Sequence, residues 1–400
     1  MLLRFLAENH RSIDGPVELS MIAVDEDRPA ARAFDLLNER VLTVGGVYGA
    51  NASGKSNVLA ALAWLSTFVA LSLRSWDDAI PREPFRFAGG PSRSSRYEID
   101  LMVHGVRHAY QVELDDSTVL FEGLYSYPKK LRRALFEREG GTISFRRGLG
   151  TISGTRELLT PTTLALSAAM RFDEPEVRAF GRALAGTRIL GLRGRRIRGG
   201  DDGFLPTDEL VRAGGDGPGI VLDLLRFADL GIDDLRLDTS ATPNEVRFVH
   251  RAADQELPFA IEDESQGTRN WYGLIGSVVH ALRNGRLLLL DEIDASLHPR
   301  LSAKLIELFQ DPETNPAGAQ LVFTTHDTSL LGHLNRDEVW LTEKGPDAAT
   351  RLTALAEYGG ERVRRSVNLE RAYLQGRFGA VPQLDRHLLR KALGLTAEVA

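Results

Sequence analysis

Eight consecutive residues carry the types and spacing that hold a phosphate chain: Gly49-Ala50-Asn51-Ala52-Ser53-Gly54-Lys55-Ser56, a G-x-x-x-x-G-K-S run. Gly49 and Gly54 let the backbone curl so that successive N–H groups point inward at phosphate oxygens. Lys55 has the reach for β- and γ-phosphates, and the Ser56 hydroxyl is a hard oxygen suited to Mg²⁺. Asn51, Ser53 and Asn57 lie in or against the loop and complete the candidate phosphate-binding set. Lysine is scarce in this chain, six residues against forty-three arginines, so a lysine falls at this position by chance only rarely. Residues 41–44 are β-prone and 57–65 helix-prone, which puts the phosphates at a helix N-terminus. The run implies a bound nucleoside triphosphate.

A second set lies far along the chain. Leu287-Leu288-Leu289-Leu290 runs into Asp291-Glu292, an apolar strand with two acids at its end. Asp291 is placed to hold Mg²⁺ and Glu292 to orient or deprotonate an attacking water. Residues 320–325 form another apolar strand, running into His326, thirty-four residues beyond Glu292. Such a histidine suits a γ-phosphate sensor. Upstream, Ser265-Gln266-Gly267 precedes a long apolar helix at 272–282; Ser265 suits an N-cap and Gly267 permits close backbone approach.

These residues need a scaffold, and the composition can supply one. The chain has 400 residues, 43% hydrophobic and 26% charged, with a formal net charge of −6 and no cysteine. That is ordinary globular material with no global basicity, no disulfide and no Cys-ligated zinc. The apolar stretch 58–73 is short for a membrane span and reads as a buried helix after the phosphate loop. The first residues lack the apolar h-region of a signal peptide, so the expectation is a cytoplasmic protein without a membrane.

Strands are expected at 2–7 and 16–24, with a turn at 9–13, a loop at 25–35 and a connection rich in Pro and Gly at 77–95. Alternating residues at 97–103, 109–114 and 119–127 predict an antiparallel sheet, continued by 131–137 and 142–146. Residues 155–240 read as a mostly helical insertion, with an amphipathic helix at 220–230 and glycine-rich breaks at 199–203 and 214–219. Within it, Arg188, Arg193, Arg195, Arg196 and Arg198 form a basic cluster suited to a phosphate backbone. The fold class is α/β, a P-loop NTPase with mixed and antiparallel β-sheet. The expected divisions are an N-terminal lobe 1–154, the insertion 155–240, a second ATPase lobe 241–345 and a tail 346–400, with 337–341 the last strand of the core.

Together the motifs resemble those of ABC-type ATPases. Ser265-Gln266-Gly267 looks like the signature motif, residues 287–292 like the Walker B strand, Ala295-Ser296-Leu297-His298-Pro299 like the D-loop, and Thr324-Thr325-His326-Asp327 like the switch histidine. Their order is similar to the AAA-annotated, ABC-like ATPases of bacterial abortive-infection and restriction-linked operons, relatives of overcoming-lysogenization-defect and SMC-type ATPases. Residues 363–382, centred on Tyr373-Leu374-Gln375-Gly376-Arg377-Phe378-Gly379-Ala380, resemble the tail of that subgroup.

The resemblance implies ATP and Mg²⁺ as cofactors, and roles for individual residues. Arg11, in the turn Asn9-His10-Arg11-Ser12, approaches the nucleotide. Lys55, Glu292 and His326 carry the catalysis, and Ser56 and Asp291 hold the metal. Ser265 and Gly267 contact nucleotide held by a second subunit, so the working unit is a homodimer with composite ATP sites, and larger assemblies are open to it. A Q-loop glutamine is not identifiable. The short tail has no paired-acid metal site, which implies a separate effector protein, a nuclease or toxin, regulated in anti-phage defence. The competing expectation is an SMC-like DNA-binding or repair ATPase whose heads clamp nucleic acid, motivated by the arginine cluster. A transporter subunit fits less well, because the antiparallel region and insertion are foreign to it. No Asn-Lys-x-Asp guanine-reading motif is present.

Overall fold

The four leucines Leu287–Leu290 are buried on both faces of their strand, which is why the run is continuous rather than alternating. Successive side chains point to opposite sides, so Leu287 and Leu289 enter one hydrophobic core and Leu288 and Leu290 the other. The strand belongs to a six-stranded sheet that divides the molecule. Its order is Arg188–Leu190, Leu287–Leu290, Gln320–Thr324, Val44–Gly49, Val339–Lys344 and Thr350–Ala354. All neighbours are parallel except the last pair. The computed structural model that gives this architecture describes residues 1–25, 28–34, 37–76, 78–192, 207–238, 240, 245–253, 255–295, 297–358, 368–380 and 386–393.

Against the first face lies the helix Lys55–Ser75, which carries thirteen buried residues. Beyond it stands a seven-stranded antiparallel sheet ordered Thr142–Phe145, Arg133–Glu139, Val119–Ser126, Val106–Leu114, Ser95–Val103, Leu2–Glu8 and Val17–Ser20. Trp64 of the helix stacks on Tyr97 of this sheet, centroids 4.5 Å apart. Gln320 joins the two sheets: its Nε2 donates to Leu2 O at 2.9 Å and Leu42 O at 2.8 Å, and its Oε1 accepts from Leu2 N. Lys55–Ser75 is the one described helix long and apolar enough to cross a membrane, and it is core: 67% of its most apolar window is buried.

The described residues of 155–240 are shared between the two cores. Three helices, Thr155–Leu158, Ala165–Ala169 and Pro175–Ala185, fall in the first part of this stretch, and Val177, Phe180 and Leu184 pack in the core that holds Lys55–Ser75. Arg188–Leu190 then forms the edge strand of the central sheet, and Val211, Val221 and Leu225 pack in the opposite core. That opposite core also takes the helices Gln266–Asn284 and Pro299–Gln310. Sequence reading also missed the hairpin Ala31–Phe34 with Glu39–Leu42, the three-stranded sheet Asp234–Asp238, Glu245–Ala252 and Gln255–Phe259, and the strand Thr350–Ala354, which extends the core beyond 337–341.

Buried charge ties the antiparallel sheet to its helices. Glu122, fully buried, accepts from Tyr110 OH at 2.8 Å and from Ala165 N and Leu166 N at 2.6 and 2.8 Å, at the start of the helix Ala165–Ala169. Arg138 lies 3.9 Å away. Burial pushes the Glu122 carboxyl up, and the Arg138 charge and these hydrogen bonds oppose the rise.

Candidate functional site

The phosphate loop follows from two glycines at the junction of a strand and a helix. The strand Val44–Gly49 ends at φ 152° and the helix begins after Gly54 at φ 107°. A side-chain carbon at Gly49 would overlap Thr342, and one at Gly54 would overlap Thr350, so the loop closes only around bare backbone. Asn57 N and Val58 N donate to Gly54 O at 3.0 and 3.2 Å, and the N–H groups ahead of them have no carbonyl of the helix to bond, as at any helix start. Lys55 is buried; its Nζ donates to Gly49 O at 2.8 Å and Ala50 O at 3.2 Å and lies 3.3 Å from His326 Nδ1. Burial pulls its pKa down to about 8, against the raising effect of Asp294, Asp291 and Glu292. Asn51 is exposed in the loop, while Ser56 and Asn57 are half-buried on the first turn of the helix.

A hydroxyl network with no signature in the sequence braces the loop from below. Ser53 Oγ and Thr342 Oγ1 are 2.6 Å apart, and Thr342 donates to Tyr48 O at 3.0 Å. Thr350 Oγ1 donates to Ser53 O at 2.9 Å and lies 2.7 Å from Ser12 Oγ, which accepts from Asn57 Nδ2 at 2.6 Å. Thr342 and Thr350 sit about three hundred residues from the loop, in a hairpin whose threonines look like ordinary strand residues.

The parallel order of the sheet brings the second set to the same edge. Gln320–Thr324 lies between Leu287–Leu290 and Val44–Gly49, so Asp291, the switch residues and Gly49 all leave the C-terminal ends of adjacent strands. Asp291 is buried, and its Oδ1 accepts from Thr324 Oγ1 at 2.5 Å. Glu292 is exposed at φ 53°, and its N–H donates to Thr324 Oγ1 at 2.8 Å. His326 is exposed beside Lys55. Asp294, to which no role was assigned from sequence, accepts from Thr325 Oγ1 at 2.7 Å and from His326 N at 3.3 Å on each carboxylate oxygen.

The remaining candidates are placed separately. Arg11, at φ 50°, is held by Glu83 through Nε and Nη2, both 3.1 Å, while its neighbour Ser12 reaches Asn57. Ser265 caps the helix Gln266–Asn284, accepting from Thr268 N at 3.1 Å, and Gly267 follows on the first turn. Among the described residues no hydrogen bond joins either to the phosphate loop. They instead border the turn after Asp294: Asn270 Nδ2 donates to Ala295 O at 3.3 Å, and Gly267 lines a cavity of about 880 Å³ with Leu297, Pro299 and Leu330. Ser296 lies outside the described residues. So do Arg193, Arg195, Arg196 and Arg198; Arg188 starts the edge strand, 3.2 Å from His280 Nε2.

A glycine-bounded loop ahead of a helix, with an Asp-Glu pair ending a neighbouring parallel strand, defines an ATPase-type P-loop domain of α/β class and ABC-like build. A family profile described as "AAA domain, putative AbiEii toxin, Type IV TA system" matches residues 46–332, and the chain belongs to that defence-linked AAA family. No curated protein matches the sequence. Solved structures similar to the chain include the SMC head bound to the C-terminal winged-helix domain of ScpA, at 15% identity and TM-score 0.47, covering 88% of this chain and 97% of that one. The SMC head domain from Thermotoga maritima is similar at 12% identity and TM-score 0.40, covering 88% and 98%. A third is the Smc head with an extended coiled coil bound to the C-terminal domain of ScpA, derived from Pyrococcus furiosus, at 11% identity and TM-score 0.43, covering 89% and 97%.

Proposed function

We propose that this protein is a Mg²⁺-dependent ATPase that dimerises on ATP and regulates a separate effector in anti-phage defence. The observation that carries the reading is the convergence of Lys55, Asp291, Glu292 and His326 at one edge of the central sheet, beside a loop shaped for phosphates. Gly49 to Ser56 would bind the β- and γ-phosphates through backbone N–H groups and Lys55. Glu292, exposed where its neighbour is buried, would take the proton of the attacking water. His326, 3.3 Å from Lys55 Nζ, would meet the γ-phosphate beside it. The donor set fits Mg²⁺: Ser56 and Asp291 offer hard oxygens, and this ion commonly takes one or two carboxylates with phosphate oxygens. Ser56 and Asp291 would hold it, and it would neutralise phosphate charge when bound.

Among the described residues no hydrogen bond joins Ser265 or Gly267 to the loop of their own chain, which suits contact with nucleotide on a second copy. That arrangement requires a homodimer with composite sites. Family membership supports the defence setting, and an effector, nuclease or toxin, would be encoded separately. A cytoplasmic site of action accords with this role.

The test is mass photometry of Glu292→Gln with and without ATP and Mg²⁺, beside phosphate release by the unaltered protein. Removing the base lowers turnover by about 10² to 10⁴-fold and traps bound ATP. ATP then drives association, and Ser265→Arg abolishes it. Phosphate release with no ATP-dependent change in mass would refute the composite dimer; no release at all would refute the ATPase.

A further inference from the structure

The turn that carries Asp291 and Glu292 is laced to the end of the neighbouring strand by more than backbone pairing. Thr324 takes Asp291 and the Glu292 N–H, and Ile293 N donates to Thr324 O at 3.0 Å. The next residues repeat the connection one step further out, through a carboxylate. Asp294 Oδ1 accepts the Thr325 hydroxyl at 2.7 Å, and the His326 N–H is shared between both Asp294 oxygens at 3.3 Å. Thr325 Oγ1 in turn accepts from Asp327 N at 2.9 Å. One side chain, in the turn after the neighbouring strand, thus takes the Thr325 hydroxyl and the His326 N–H directly and is linked to the Asp327 N–H through that hydroxyl, while Thr325 N donates to Val47 O at 3.3 Å. The imidazole of His326 is the group that meets Lys55.

We infer that Asp294 is a positioning residue for ATP hydrolysis, fixing the backbone from which His326 projects toward the phosphate site. The inference rests on the ATPase reading above and goes beyond it, because Asp294 touches neither the loop nor the lysine through a hydrogen bond. Its hydrogen bonds run instead to the peptide N–H of His326 and the hydroxyl of Thr325. A carboxylate suits this task because both its oxygens accept, so one side chain holds a hydroxyl and an amide together. An amide at this position retains one acceptor and would keep the Thr325 bond while weakening the bond to His326. The geometry also ties the base to the sensor. Glu292 and Asp294 leave the same turn, so a displacement of His326 is felt two residues from the proposed base.

Four variants test this in the full chain: Asp294→Ala, Asp294→Asn, His326→Ala and the Asp294→Ala/His326→Ala double. Misplacing a reacting group by about an ångström costs up to roughly a hundredfold in rate. Asp294→Ala should therefore lower kcat by about ten- to a hundredfold, with KM for ATP changed by less than about threefold. Asp294→Asn should lie between it and the unaltered protein. The double variant should be no slower than His326→Ala alone, since the two residues act through one group. A second measurement needs no turnover. Hydrogen exchange at the His326 amide should speed up about tenfold in Asp294→Ala, the effect of losing one hydrogen bond. Losses that multiply in the double variant, or a KM rising in step with the fall in kcat, would overturn the inference. So would unchanged exchange at His326. If the unaltered protein hydrolyses no ATP, the ATPase reading fails, and the exchange measurement still decides whether Asp294 holds His326.

Discussion

Thr342 is the residue through which the late hairpin grips the phosphate loop, and Thr342→Val isolates that grip. Valine matches threonine in shape, so packing is kept and the hydroxyl alone is removed. Two contacts go: the one with Ser53 Oγ at 2.6 Å and the bond to Tyr48 O at 3.0 Å. Ser53 is 3% exposed and Thr342 is fully buried, so water does not reach the group left behind. A buried hydroxyl without a partner costs about 1–3 kcal/mol, and a net hydrogen bond contributes about 0.5–1.5. These terms overlap, and about 2 kcal/mol is the expected loss of stability. Urea unfolding followed by tryptophan fluorescence reads it as a lower midpoint at unchanged slope.

The same 2 kcal/mol weakens the loop's hold on its binding shape by about thirtyfold, which bounds the loss of ATP affinity from above. Affinity measured with a fluorescent nucleotide should fall within that bound. Thr342→Ser restores the hydroxyl and should restore most of both quantities. If the valine and serine variants unfold and bind alike, the hydroxyl is not what holds the loop.

Glu122→Ala removes the carboxylate 3.9 Å from the buried Arg138 and the acceptor of Tyr110 OH, Ala165 N and Leu166 N. It should destabilise the protein by about 3–5 kcal/mol, read by chemical unfolding, and Glu122→Gln should cost less because it still accepts. Acid should unfold the protein through His10 and Glu176. Burial and the Arg11 charge hold the His10 pKa down at about 3, below its ordinary 6.5. The unfolded chain therefore binds a proton between those values and the fold does not. Stability is full above pH 6.5 and falls on acidification by up to about 1.4 kcal/mol per pH unit until pH 3. His10→Phe should flatten that slope; an unchanged slope would exclude His10 as its source. The hydrogen bond from His108, with Ser126 and Arg133, holds the Glu176 pKa near 2, so its contribution is present above pH 4.5 and is lost as pH falls toward 2.

Much of the site was legible because its chemistry is local in sequence. Gly49, Gly54, Lys55 and Ser56 act as one loop, and their spacing is fixed by the size of a phosphate rather than by the rest of the fold. The Walker-like strand announced itself through four leucines buried on two faces and an acid at the end. The antiparallel strands were legible at 97–103, 109–114 and 119–127 because polar and apolar side chains alternate there, although the polar residues of the first, Glu98 and Asp100, are buried in ion pairs with Arg4 and Arg107 rather than wetted. The arginine cluster carried less: only Arg188 falls within the described residues, and it lies in the central sheet. The span 155–240 was read as a separate helical piece because helix periodicity says nothing about what a helix packs against.

The sequence by itself determined which residues could hold phosphate and metal, and that two apolar strands end in acid and histidine. It did so because each motif is a short run whose side chains answer to one ligand. Only the tertiary structure decided that these runs are neighbours, through the order of parallel strands that sets Gln320–Thr324 between Leu287–Leu290 and Val44–Gly49. Only it put Thr342 and Thr350 under Ser53, gave Arg11 to Glu83, and set Asp294 against His326. Those pairings join residues up to 297 positions apart. A hydrogen bond depends on distances of ångströms between side chains, and no periodicity in a single chain encodes a distance across a sheet.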